Sequence, residues 1–451
     1  MISTSAVDAY IERNSRRFID ELKELCSFPS ISNHGRDAVQ PARDWLGDRL
    51  SRFTDRVETL EAGGMPALYA EVKGKGRRRL LLYQHYDVQP VDPLDLWDSP
   101  PFEPVEKDGR IVARGVADDK ADVMARLHAL ETLKELGDVP VTLRFLVEGE
   151  EEIGSQTFGK IVEQHADKLK ADGCLWESGS SFDDDGRPTL QFGCRGLLYA
   201  QLRVKLLDFD QHSGWASIYP SAAMYLVGAI ASLRDQDMNI KIDGFYDRVV
   251  SPTEADRRMM ASIDPEVEKR RKLVGFEKLV RDPKTDQVIE QMLFLPTCNI
   301  AGVTTGYQGP GSKTVLPAEA SAKLDFRLIP DQDPDDILKL LRKHFDRHGF
   351  EKVEVEGEGE KPARSDPSSA VGRSVIDAVR EMHGEPVIWP FMPATGPMHP
   401  VVSDLGVPTV LPVGVGRPDN RIHAPNENIR AADYINTVRL MTRVWERFGA
   451  S

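Results

Sequence analysis

The stretch Leu143-Arg-Phe-Leu-Val-Glu148-Gly-Glu150-Glu151-Glu152-Ile-Gly154 puts four carboxylates at the end of an apolar run, Val141 to Val147, of strand length. Acids packed this closely repel one another and raise one another's pKa, so near a core they call for a cation or a catalytic duty; a lone acidic pair is otherwise a solvated turn. A second candidate, His85-Tyr86-Asp87, closes the leucine-rich run Arg79 to Gln84. Two residues apart at a strand's end, the acid can hold the imidazole while the other ring nitrogen meets a metal. Glu177 follows a third short apolar run, Asp172 to Trp176, and His423 sits in the polar loop Asp419-Asn-Arg-Ile-His423-Ala-Pro-Asn426-Glu427-Asn428. Asp118 and Asp119 precede a helix whose apolar face is Val123, Met124, Leu127, Leu130, Leu133 and Leu136. There an aspartate is either the helix cap or a carboxylate that bridges two cations, one oxygen facing each.

The elements that must position these residues follow from the patterning. Helices are predicted over Val7 to Cys26 and Ala42 to Phe53, strands over Ala67 to Val72 and Arg79 to Gln84, and a helix after Asp119. Strands alternating with helices give a parallel sheet, whose carboxyl ends gather in one crevice, so His85, Glu151, Glu152 and Glu177 can converge. From Arg195 the character changes. Leu197 to Leu207 alternates, a helix covers Ala222 to Leu233, strands lie near Asn299 to Val303, Ala318 to Leu328 and Val353 to Val355, and a helix covers Asp335 to His348. That is an α+β layer of ferredoxin-like character, with Arg234 to Glu290 as an inserted helical arm and Glu356-Gly-Glu-Gly-Glu-Lys-Pro as the return hinge. Helices near Ala370 to Met382 and Ala431 to Phe448 rejoin the first sheet. The expected architecture is α/β: a discontinuous domain with a mostly parallel central sheet, residues 1–196 and 364–451, interrupted by an α+β domain, residues 197–363.

A chain of 451 residues with 40% hydrophobic residues has room for two or three globular domains. Its formal net charge of -14 argues against nucleic acid or an anionic membrane as partner. Cys26, Cys174, Cys194 and Cys298 lack the spacing of a thiolate metal site or redox pair and read as thiols in a reducing compartment; with no leader-like N-terminus or long apolar run, the cytoplasm is expected. Gly306-Tyr-Gln-Gly-Pro-Gly311-Ser312-Lys313-Thr314 is not a phosphate loop, because a strand and not a helix follows. Ser178 and Ser180 lack a nucleophile elbow, and His128, mid-helix, reads as structural.

Taken together, His85-Tyr-Asp87-Val-Gln-Pro, Ala113-Arg-Gly-Val-Ala-Asp118-Asp-Lys, Glu148-Gly-Glu-Glu-Glu152-Ile-Gly-Ser, Trp176-Glu177-Ser, His212-Ser-Gly, Lys313-Thr-Val-Leu-Pro and His423-Ala-Pro-Asn-Glu-Asn resemble, in order and across nearly the full length, the di-zinc metallopeptidase family that includes carnosinase-type dipeptidases, acetylornithine deacetylase, succinyl-diaminopimelate desuccinylase and aminoacylases. The resemblance implies that Asp118 bridges two metals, that His85 with Glu177 completes one and Glu152 with His423 the other, that Asp87 orients His85, and that Glu151 is the general base. Ligands of nitrogen and oxygen without thiolate suit zinc, with manganese or cobalt as substitutes. It implies further that the inserted domain is a lid and dimerisation domain, that His212 reaches into the partner subunit's site of a homodimer, and that Arg327, Thr314, Thr395 and, more weakly, Asn299 meet a small substrate with a free carboxylate.

The family's glycine before the first histidine is here Gln84, and Ala121 stands for the glycine after the Asp-Asp-Lys motif. Its glycine-glycine-serine turn reads Pro393-Ala-Thr395-Gly396-Pro-Met-His399, and Trp215-Ala216 follow His-Ser-Gly. The metal ligands are intact and the specificity pocket is altered. The implied activity is amide hydrolysis, first as a dipeptidase or carboxypeptidase-like enzyme; an N-acyl amino-acid deacylase or a hydrolase of an unusual C–N bond uses the same catalytic residues. A catalytically silent, small-molecule-binding homodimer is opposed by the presence of the base and all five ligands.

Overall fold

A computed structural model describes residues 2–451 and divides into two compact units. The first comprises Met1–Gly193, Arg364–Pro390 and Pro397–Ser451; the second comprises Cys194–Ala363 and Phe391–Gly396.

The first unit is mixed α/β. Its six-stranded sheet runs in the order Val57–Leu60, Ala67–Val72, Thr142–Glu148, Arg79–His85, Gly173–Leu175, Thr409–Val410. The last four are mutually parallel and the first two join antiparallel. Arg79–His85 is buried from Leu80 onward, which is why it reads as an unbroken apolar run: helices cover both faces of such a strand. Thr4–Cys26, Ala121–Leu136, Ala370–His383 and Ala431–Ala450 pack on one another around a core that includes Phe18, Leu82, Leu130, Val375 and Trp445. Beside the sheet Tyr83 stacks on Trp176, ring centroids 3.5 Å apart, with Phe158 edge-on to both. Ser3 caps the first helix by accepting the Ala6 N–H at 3.3 Å.

One helix begins earlier than its pattern suggests. The segment expected from Ala42 is Arg36–Leu50 and runs through Pro41. Pro41 lies beyond the first turn and has no N–H to donate to the Asp37 carbonyl, so the helix continues through it one internal hydrogen bond short.

The second unit is a four-stranded antiparallel sheet in the order Asn299–Thr305, Glu319–Leu328, Gly196–Lys205, Glu354–Glu360. Helices Ala222–Ser232 and Pro334–Arg347 cover one face, and Gly196–Lys205 alternates buried and exposed residues accordingly. The stretch Glu356 to Pro362 is not a hinge over most of its length: Glu354–Glu360 is an edge strand, Gly357 opposite Ala200 and Gly359 opposite Leu198. Its glycines answer to packing, since a Cβ at Gly359 would collide with the Leu197 carbonyl and with Pro334 at the start of the covering helix. The arm between the helix Ala222–Ser232 and the strand Asn299–Thr305 carries three short helices, Glu254–Met260, Val267–Val274 and Val288–Phe294. Phe391–Gly396 clusters with this unit and not with the surrounding C-terminal chain, held by Phe391 against Phe294 and by the Arg195 N–H donating to the Ala394 carbonyl at 2.9 Å. Among the described residues no helix is long and apolar enough to cross a membrane.

Candidate metal centre

Three parallel strands deliver acids or a histidine from their carboxyl ends. His85 lies opposite Glu148 in the register, and Glu177 comes two residues after the strand Gly173–Leu175. The His85 ring is fully buried, and its Nδ1 is 3.1 Å from the Asp87 main-chain oxygen. A carbonyl can only accept, so Nδ1 carries a proton and Nε2 is the nitrogen left to meet a metal. That Nε2 faces Asp118 Oδ1 at 3.0 Å and Glu177 Oε2 at 3.5 Å. On the other side, His423 Nε2 lies 3.2 Å from Asp118 Oδ2 and 3.1 Å from Glu152 Oε2. The two oxygens of Asp118 thus face two different histidines, each accompanied by a second acid.

The donor set fits divalent cations. Ligand atoms of Asp118, Glu152 and His423 lie within 4.8 Å of one another, as do those of His85, Asp119 and Glu177. Glu177 Oε2 is buried and accepts no hydrogen bond, an orphaned acceptor that a cation would satisfy. Asp119 belongs to this group although only its neighbour Asp118 was expected there; no side-chain cap bond to the helix Ala121–Leu136 engages either aspartate.

The four glutamates sort into two kinds. Glu148 accepts the hydroxyls of Tyr83 and, at 2.8 Å, Ser155; Glu150 accepts the Met65 N–H at 2.9 Å and the Thr157 hydroxyl at 2.6 Å. These two acids brace the loop. Glu151 and Glu152 stand on a tight turn whose N–H groups donate to the Asp87 carboxylate at 3.3 and 3.0 Å. Asp87 therefore orients His85 through its main-chain oxygen, its nearest carboxylate oxygen being 3.5 Å from Nδ1, and uses that carboxylate to hold the glutamate turn.

Two further side chains were not singled out from the sequence. Gln89 donates to Glu152 Oε2 at 2.9 Å. The buried Glu427 carboxylate accepts the N–H groups of Gly115, Ala117 and Asp118 at 2.9, 2.8 and 3.2 Å and the Arg114 guanidinium at 2.7 Å. It ties the Asp118 loop to the loop of His423, four residues upstream of it. The positive φ of 61° at His423 and 63° at Asn426 belongs to that loop, which Asn426 anchors by accepting the Asp98 N–H at 2.8 Å.

The charges report a pocket that wants cations. Burial, then the nearby Glu151, raises Glu177 well above the usual carboxylate range. Burial raises Glu151 to about 7; His85 opposes the shift, and Asp118 and Glu152 add to it. Hydrogen bonds to Asp118 and Glu152 raise His423 to about 10. Burial works against ionisation of Asp118, yet its bonds to His423 and His85 hold it below the usual range.

The remaining candidates lie in the second unit. Arg327 Nη1 donates to Thr395 Oγ1 at 2.7 Å. Asn299 donates to Asp325, on the same strand as Arg327, at 2.7 Å. His212 pairs with Val315 beside Thr314, whose carbonyl accepts the Ser213 N–H at 3.2 Å. The structure brings Arg327 to Thr395 and His212 to Thr314 as two separate pairs.

The family model described as peptidase family M20/M25/M40 matches residues 81–447. The rat Beta-Ala-His dipeptidase (Rattus norvegicus) is 27% identical, covering 96% of this chain and 92% of its own. The Cys-Gly metallodipeptidase of Saccharomyces cerevisiae is also 27% identical, covering 100% and 99%. Among solved structures, the metallo-carboxypeptidase Sso-CP2 of Sulfolobus solfataricus superposes with a TM-score of 0.90 at 35% identity, over 96% of this chain and 99% of that one. Human carnosine dipeptidase 1 gives a TM-score of 0.76 at 25% identity, over 100% of both chains.

Proposed function

We propose, on the premise that the chain belongs to peptidase family M20/M25/M40, that it is a metal-dependent dipeptidase acting on small substrates with a free carboxylate. The observation that carries the reading is Asp118, whose two oxygens address His85 with Glu177 on one side and His423 with Glu152 on the other. Asp118, His85 and Glu177 would hold one ion and Asp118, Glu152 and His423 a second, zinc first by donor chemistry, with manganese or cobalt able to substitute. When bound, the pair supplies Lewis acidity that polarises the scissile carbonyl and makes a water molecule acidic enough to attack near neutral pH.

The chain's own groups do the rest. Glu151 takes the proton from the attacking water and returns it to the departing nitrogen, a role suited to a carboxylate whose pKa burial lifts to about 7. Asp87 keeps Glu151 and Glu152 on one turn and His85 in one tautomer. Arg327, supported by Thr395, grips the substrate carboxylate through a planar guanidinium, and Thr314 and Asn299 are further substrate contacts.

The second unit serves as lid and dimerisation domain. Its helix Ala222–Ser232 leaves Met224 69% and Val227 49% exposed, and Asn299–Thr305 is an uncharged edge strand with Val303 exposed. An unpaired neutral edge beside apolar side chains suits a second copy of the chain. In the homodimer the partner subunit's His212 would steady the oxyanion. The four cysteines are buried thiols, which suits a reducing compartment, and we assign the protein to the cytoplasm.

Cleavage of a C-terminal residue from longer peptides is a second reading, favoured by the 35% identity to a metallo-carboxypeptidase. Deacylation of N-acyl amino acids is kept in view because the turn at Thr395 departs from the family pattern. Mass spectrometry of products from the zinc-loaded protein, given dipeptides, longer peptides and N-acyl amino acids, distinguishes them. Dipeptide cleavage that is fastest of the three sets supports the proposal, and release from acylated compounds alone overturns it.

A further inference from the structure

The helix Ala121–Leu136 holds the segment that carries Glu177 at two points, one on each side of the ligand. Asp122, 2% exposed, accepts the Ser178 hydroxyl. One turn further on, Arg126, 1% exposed, donates through Nη1 to the Leu175 carbonyl at 3.1 Å and through Nη2 to that of Trp176. The same Nη1 donates to the Tyr83 carbonyl at 2.9 Å, two residues before His85. Positions i and i+4 lie above one another on a helix, so this one face grips residues 175, 176 and 178 together with the strand that ends in His85. Packing at Gly414 closes the arrangement, since a Cβ there would overlap both Ser178 Oγ and Asp122 Oδ1.

Neither Asp122 nor Arg126 offers an atom to Asp118, Glu152 or His423, whose geometry is set by Glu427, Asp87 and Gln89. We infer that Asp122 and Arg126 are positioning residues for one half of the metal centre, fixing Glu177 against His85 while leaving the Glu152 and His423 half to other supports. Glu177 needs such a support because its Oε2 is buried without a hydrogen bond, so that oxygen is not anchored by a donor of its own.

The inference rests on the two-metal reading above, and its test separates the two. Metal-free protein is titrated with Zn2+ against a chromophoric chelator, for the unsubstituted chain and for Asp122→Ala, Asp122→Asn, Ser178→Ala and Arg126→Lys, with thermal unfolding recorded for each. The unsubstituted chain should take up two ions; fewer than two overturns the two-metal reading and the inference with it. In Asp122→Ala one of the two affinities should fall about tenfold or more while the other stays within about twofold, the range in which supports of metal ligands act. Asp122→Asn, which still accepts the Ser178 hydroxyl, should restore the weakened affinity. If Asp122→Ala does not fold, Ser178→Ala and Arg126→Lys carry the same expectation. Equal losses at both ions, no loss at either, or failure of Asp122→Asn to restore binding would overturn the inference while leaving the two-metal reading intact.

Discussion

His85, Asp87, Glu148 and Glu427 are essentially fully buried, and Asp87 and Glu427 each accept two or more N–H groups from a neighbouring loop. At the antiparallel sheet of the second unit, Arg327 and Asn299 are more open to solvent and their side chains meet Thr395 and Asp325. The contrast follows from the sheets. Parallel strands covered on both faces end in a largely buried crevice, where an ionic group persists only if neighbours or cations compensate it. An antiparallel sheet with one open face leaves its charges nearer to solvent. Substitution in the first region should therefore abolish turnover or metal binding, and substitution in the second should change substrate affinity.

The sharpest way to break that contrast is Glu151→Gln. It should lower kcat by about 10²- to 10⁴-fold, the range for losing a general base, and leave metal content unchanged, because Glu151 is outside both ligand groups. Steady-state kinetics with metal analysis checks this. Metal loss would move Glu151 into the ligand set.

Next in size is the pH dependence of metal affinity. His423, raised to about 10 by its bonds to Asp118 and Glu152, is protonated at neutral pH without metal and must release that proton to bind an ion. Apparent affinity should rise with pH by about tenfold per unit for each proton expelled, up to about pH 10. The same shift works in the opposite sense on the metal-free fold. A histidine whose folded pKa exceeds the ordinary 6.5 stabilises the fold fully below that value, and the stabilisation disappears as pH rises through about 10. Chelator competition and metal-free thermal unfolding across the range read both effects.

In the second unit, Arg327→Met should raise KM by about 10- to 100-fold for dipeptides, the size of one lost charge-assisted contact, with kcat changed far less. Thr395→Ala removes a neutral hydroxyl and should raise KM by about two- to tenfold. A kcat collapse in either variant, with KM unchanged, would erase the distinction between the regions.

The strand ends stand out because acids and a histidine at the mouths of apolar runs are costly, whereas the role of each came from the family resemblance. Glu427, Gln89, Asp122 and Arg126 were not, since each acts on a main chain or side chain far away in sequence. Tertiary supports carry no local pattern. The alternating Glu-Gly run from Glu356 to Pro362 reads as a hinge because glycines usually loosen a chain, whereas here most of it is strand and its glycines admit a packed helix. Phe391–Gly396 gave no signal at all: a six-residue segment changes unit through contacts with Phe294 and Arg195 that only the fold provides.

The most direct test of the central claim is dipeptide turnover as a function of metal restored to chelator-stripped protein. Turnover should be absent in the stripped protein and should climb with added zinc to a plateau at two ions per chain, one for the ligand group of His85 and Glu177 and one for that of Glu152 and His423. Turnover that persists without metal, or a plateau reached at one ion, would contradict it.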